Sequence, residues 1–166
     1  MSKRPLIALA LSVAAFAATT FAQAPAPAAT NTPYGASITA DAAKKIAAAA
    51  LAEAKKNNWD MAVAVVDTGG YLVYFERMPN TQIGSVHVSI EKAKSAALFR
   101  RPTKVFQDAV AAGGDGLRML GLPGAVPVEG GIPLIVGGKI IGAVGASGGT
   151  SAQDGRTAQA GSDAAK

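Results

Sequence analysis

Few residues of this chain are suited to chemistry. Cysteine is absent, which excludes disulfides, thiolate metal sites and cysteine nucleophiles. His87 is the single histidine. Gly145-Ala146-Ser147-Gly148-Gly149 has the spacing of a G-x-S-x-G nucleophile elbow, and an apolar run precedes it. A serine nucleophile needs a base to take its proton. Here the one histidine precedes Ser147, whereas it follows the serine in hydrolases of that type. The segment is therefore read as a tight, glycine-rich turn from strand to helix. Gly138-Lys139 is followed by Ile140 where a phosphate-binding loop requires Ser or Thr. Glu129 stands beside Gly130-Gly131. Glycines allow close backbone approach, so this carboxylate is a candidate either for a polar site or for bracing the turn.

The elements that must position these groups follow from periodicity and punctuation. Pro133–Val136 and Ile140–Val144 are apolar runs separated by Gly137-Gly138-Lys139, the pattern of a tight hairpin. Thr39 caps an expected helix to about Lys56, stopped by Asn57-Asn58, with Ile46, Ala50 and Leu51 inward. Met61–Asp67 reads as a central strand, and Tyr71–Arg77 returns after Thr68-Gly69-Gly70. Tyr71 and Tyr74 then point to opposite faces. A helix over 82–99 carries Val86, Ile90, Ala93 and Ala97 as its apolar stripe. Pro102 breaks it, and Thr103 caps a short helix over 104–111. Ala125–Glu129 reads as a further strand, and a last helix starts near Ser151 with Asp154 at capping-box-like spacing. Tight turns between neighbouring strands require antiparallel pairing. The expectation is a layered α+β domain over 37–166: a five-stranded antiparallel sheet flanked by helices on both faces.

Ahead of that domain the composition changes. Ser2-Lys3-Arg4 is a basic start, Leu6–Phe21 is apolar and uncharged, and Ala22-Gln23-Ala24 has small-x-small character. Residues 1–24 read as a secretory signal peptide, cleaved after Ala22 or Ala24. Residues 25–36 form an Ala/Pro-rich linker. Losing Lys3 and Arg4 lowers the formal net charge from +5 to +3. The remaining basic residues are scattered among acids, so no nucleic-acid footprint is expected. No other apolar run is long enough to span a bilayer. The mature chain is expected in the periplasm or outside the cell, without a stable membrane anchor.

Seven stretches together carry a resemblance. They are Ala64–Gly70, Arg77-Met78-Pro79, Lys92–Ala96, Phe99–Thr103, Glu129–Pro133, Ile141–Gly148 and Gln153-Asp154. In order and spacing they resemble the heme-degrading or heme-binding GlcG/HbpS-like family, over roughly Ile38 to the C-terminus. The resemblance implies an antiparallel sheet flanked by helices, homo-oligomeric assembly, and heme or another tetrapyrrole as partner, in sensing, storage or degradation. The family often carries threonine where this chain has Ser95, which keeps the hydroxyl but not the methyl group.

Under that resemblance His87 is the first candidate for heme iron, since a neutral imidazole is the usual axial ligand. Glu91, four residues on, could orient its ring or simply pair with it on an exposed helix face. Met78 is the alternative soft ligand, and Ser95 or Thr103 could supply oxygen. Arg77 and Lys92 could hold propionates, or could be ion pairs with Glu129 or Asp67. Backbone N–H groups at 149–151 begin a helix and could also hold a carboxylate. Asp67, Glu129 and Asp154 are polar-site or structural acids. No catalytic constellation is evident. A second reading places a small organic acid at an Arg77/Lys92/Glu129 site, and a third is a purely structural assembly module. Mass spectrometry of the exported protein tests the leader: the expected N-terminus follows Ala22 or Ala24, and intact Met1 in a soluble cytoplasmic pool would refute it.

Overall fold

The computed structural model describes residues 32–166. The expected leader and residues 25–31 of the expected linker lie outside the described residues.

Helix α1 spans Ala40–Lys56. The Thr39 hydroxyl accepts from the Ala42 N–H at 3.3 Å, Asp41 sits in the positive first turn, and Lys55 and Lys56 sit in the negative last turn. Asn57 caps the end and Asn58 takes a φ of 57°, so the two asparagines stop the helix. Strand β1, Ala62–Val66, is buried along its whole length. β2, Leu72–Arg77, pairs with it antiparallel. Helix α2 spans Ser85–Phe99 and ends where Arg100 turns left-handed ahead of Pro102. Helix α3, Lys104–Ala112, leads into a 3-10 segment at Gly114–Gly121. Strands β3, Gly131–Val136, and β4, Lys139–Ser147, form the hairpin. Gly137 and Gly138 have φ of 56° and 72°, the doubly positive pair that a two-residue hairpin turn demands. Helix α4 spans Ser151–Asp163.

The sheet order is β2-β1-β4-β3, and every pairing between these strands is antiparallel. It has four strands rather than the expected five. Ala125–Glu129 is irregular instead of extended and paired. Pro123 ahead of it and Pro127 within it remove donors, and side chains take two that a ladder would have used. Val126 N–H donates to Ser95 Oγ at 3.1 Å, and Glu129 N–H donates to Gln107 Oε1 at 2.8 Å. A different segment extends the sheet. β4 outruns β1, and its free stretch is met by residues 33–35: Ile140 N–H donates to Pro33 O and Gly35 N–H to Ile140 O.

Helices cover both faces. Val63, Val65, Leu134, Val144 and Ala146 pack under α1 and α4, while Ala64, Val66 and Ala143 pack under α2. The second core is built from small residues. The buried face of α2 is Ser85, Ser89, Lys92, Ala93, Ser95, Ala96 and Ala97, whereas Val86 and Ile90 of the expected stripe are half-buried. Small side chains let the helix sit almost on the backbone of β4. At Gly145 an added Cβ would collide with Ser89 O and lie 2.6 Å from Ala93 N. Gly145→Ala is therefore expected to destabilise the fold by about 3 kcal/mol. Urea unfolding should show a lower midpoint at unchanged slope. An unchanged midpoint would mean that α2 can move away freely.

Candidate functional site

Lys92, Thr103, Glu129 and Asp154 converge on the Gly130-Gly131 turn that feeds β3. Lys92 lies on the sheet side of α2 and is buried. Its Nζ donates to Asp154 Oδ2 at 2.6 Å and to Ala146 O at 3.2 Å. The two side chains are 1% and 4% exposed. Asp154 Oδ1 accepts from Gly149 N–H at 3.0 Å. Burial pushes the Asp154 carboxyl above the usual carboxylate range, while the Lys92 ammonium and the Gly149 and Gly148 N–H groups pull the other way. The pair thus opposes its own desolvation with three sets of donors. Gly131 has room for nothing more, since a Cβ there would collide with Lys92 O and meet Thr103 Cγ2 at 2.7 Å.

Several expected roles shift with this geometry. Lys92 pairs with Asp154, not with Glu129 or Asp67, so it is spent structurally. The capping box of α4 is Thr150 with Gln153, and Asp154 is freed to face inward. Of the N–H groups at 149–151 expected to hold a carboxylate, those of Gly149 and Thr150 are taken by Asp154 and Gln153. Thr103 does not cap α3 with its side chain; its hydroxyl accepts from Gly131 N–H at 2.9 Å. Ser95 is likewise occupied by Val126 N–H. Asp67 closes the β1–β2 turn, accepting from Gly69 and Tyr71 N–H at 2.9 Å each.

Arg77, Lys92 and Glu129 do not form one site. Arg77 is exposed at the end of β2, on one edge of the sheet, and Glu129 leads into β3 on the other. β1 and β4 lie between them. The sequence reading missed what actually surrounds Glu129: Lys104, Gly155, Arg156 and Gln159, which line a cleft of about 380 Å³ with it. A signal was present. Gly155 stands inside a helical stretch, where glycine is a poor choice unless something approaches closely.

His87 and Met78 lie on opposite faces of the sheet. His87 is exposed on the outer side of α2, flanked by Ile83 and Val88, which are 79% and 40% exposed. Glu91 is turned to Lys94, at 4.0 Å, rather than to the imidazole. Met78 packs on the α1 side, and its sulfur accepts from Met61 N–H at 3.4 Å. It borders an apolar groove of about 460 Å³ with Ala48, Leu51, Ala52 and Lys55. One heme cannot draw both ligands from one protomer.

A model described as "Haem degrading protein HbpS-like" matches residues 38–163. The chain belongs to the HbpS-like family. The HbpS-like chain is 43% identical to protein GlcG of Escherichia coli K12 over 105 residues, covering 63% of this chain and 77% of GlcG. Its fold is similar to the crystal structure of ORFY from Klebsiella pneumoniae, with a TM-score of 0.72 and 33% identity, covering 82% of this chain and 95% of that one. It is also similar to the PduOC:heme complex, with a TM-score of 0.69 and 27% identity, covering 77% and 94%.

The buried pair of this HbpS-like chain yields a direct test. Lys92→Met strands the Asp154 carboxylate and is expected to cost about 3–5 kcal/mol. Lys92→Met combined with Asp154→Leu should recover most of that loss, because no uncompensated charge remains. Thermal melts of the three proteins check this. A double variant no more stable than the single one would remove the electrostatic account.

Proposed function

We propose that this protein is an exported, homo-oligomeric heme-binding protein. The similarity to the PduOC:heme complex carries the reading, and the HbpS-like family match supports it. Export rests on the sequence of residues 1–24. Assembly rests on the family resemblance and on the apolar side chains that a single protomer leaves in water. These include Tyr71, Leu72, Ile83 and Leu98.

A heme site needs an axial ligand and apolar surface for the macrocycle. His87 fits the first need: its ring makes no hydrogen bond or ion pair among the described residues and faces outward. Exposed Ile83 and Val88 beside it fit the second. A second copy laid against this face would exclude water from both. Bound there, heme would supply a redox-active iron, and His87 would be the residue that holds it. The protein's own contribution is to present that nitrogen and to shield it. The Met78 groove is the competing location, with apolar walls and the Lys55 cation available to a propionate.

Hemin titration of the mature chain, followed by Soret absorbance with light scattering on the same samples, tests the proposal. Saturable binding by an assembly larger than a monomer is expected. His87→Ala should shift the Soret maximum and weaken binding by about tenfold or more. Met78→Leu should change neither. The opposite pattern would move heme to the α1–β2 groove, and absence of saturable binding would remove the function.

A further inference from the structure

We propose that the cleft between α3, the Gly130-Gly131 turn and α4 binds a free aliphatic amino acid. Glu129 takes its ammonium group, and Lys104 and Arg156 take its carboxylate. This site is distinct from the heme surface at His87 and does not depend on it.

Glu129 carries a carboxylate that is held in place and feels the Lys104 charge without a direct bond to it. Glu129 is half-buried in the wall of a cleft of about 380 Å³. Among the described residues its carboxylate accepts no hydrogen bond and joins no ion pair, yet two features hold it in place. Its N–H is fixed by Gln107 Oε1 at 2.8 Å. Its side chain lies against α4 where Gly155 has no Cβ: an added Cβ would collide with Oε1 and stand 2.7 Å from Cγ and Cδ. Glycine is a poor helix former, so the space it leaves for this side chain accounts for its presence. A partly desolvated carboxylate without donors is unfavourable until something supplies them. A charged donor does so best, because charge-assisted hydrogen bonds are roughly twice as strong as neutral ones.

Two cations line the same cleft as Glu129. Lys104 and Arg156 line it with side chains that are 50% and 58% exposed. Each is held by an ion pair, to Asp108 and to Glu53, both at 2.7 Å. The Lys104–Asp108 pair is exposed on both sides, and such pairs are weak and exchange readily for another anion. Arg156, held by the more covered Glu53 and over the Trp59 ring at 5.6 Å, is a fixed cation with its other guanidinium donors open to a ligand. A ligand that satisfies both ends carries a cation near Glu129 and an anion a few bonds away, which describes an α-amino acid. Pro102 and Ile132 offer the remaining wall as apolar surface, which suits an aliphatic side chain.

Calorimetric titration of the mature protein with L-valine and L-leucine tests this, with 2-hydroxyisovalerate and isobutylamine as partial ligands. Saturable binding of an amino acid is expected. The hydroxy acid lacks the cation and the amine lacks the anion, so each should bind at least about tenfold more weakly. Glu129→Gln should weaken valine binding by about tenfold or more, with the hemin titration and far-UV circular dichroism unchanged. Arg156→Gln, on the exposed side of α4, should also weaken it. No heat from either amino acid at millimolar concentration would overturn the proposal. So would equal affinity for the hydroxy acid, or wild-type affinity in both variants. Hemin binding is read separately, so failure of one site leaves the other measurable.

Discussion

The fold depends on one buried ion pair. Lys92 comes from α2 on one face of the sheet, and Asp154 comes from the first turn of α4 on the other. The ammonium reaches the end of β4 to meet both Ala146 O and the carboxylate. A pair so placed contributes little net attraction over apolar groups of the same size. Its effect is to exclude alternatives: any shift of α2 along the sheet, or of α4 about its axis, would leave a charge buried alone. Three elements share one registration point, and the Gly130-Gly131 turn is threaded past it.

That constraint explains what the sequence made legible and what it hid. Helix α1 was readable because its apolar spacing, its Thr39 cap and its Asn57-Asn58 stop all agree. The hairpin was readable because the glycine pair leaves few other conformations. The buried face of α2 was not readable as hydrophobic periodicity, because that face is serine, alanine and a lysine. Val86 and Ile90 attract the eye, but close approach to β4 selects for small volume, not for hydrophobicity. The missing strand has a similar origin. Ala125–Glu129 looks extended, yet the N–H groups of Val126 and Glu129 go to Ser95 and Gln107, two side chains distant in sequence.

The candidate site was legible in parts. Lys92, Thr103, Glu129 and Asp154 are all singled out by their place in the family pattern, and they do converge. Their individual tasks were not legible, because partner choice is a property of the tertiary arrangement. An acid three residues past a helix cap looks like a capping partner until Gln153 is seen to fill that role. Arg77 and Lys92 look alike as cations, but one is at a sheet edge in water and the other is sealed in the interior.

The short segment at residues 33–35 has a consequence of its own. It lies along β4 beside Ile140, and the hydroxyl of Tyr34 donates to Ala97 O at 2.9 Å, at the last turn of α2. The Arg100 guanidinium lies over the Tyr34 ring at 5.7 Å. Among the described residues the backbone is therefore engaged from Pro33, several residues ahead of the first helix. Loosening this tie would release the last turn of α2 and the open stretch of β4 together, so a segment outside every helix couples two elements of the fold.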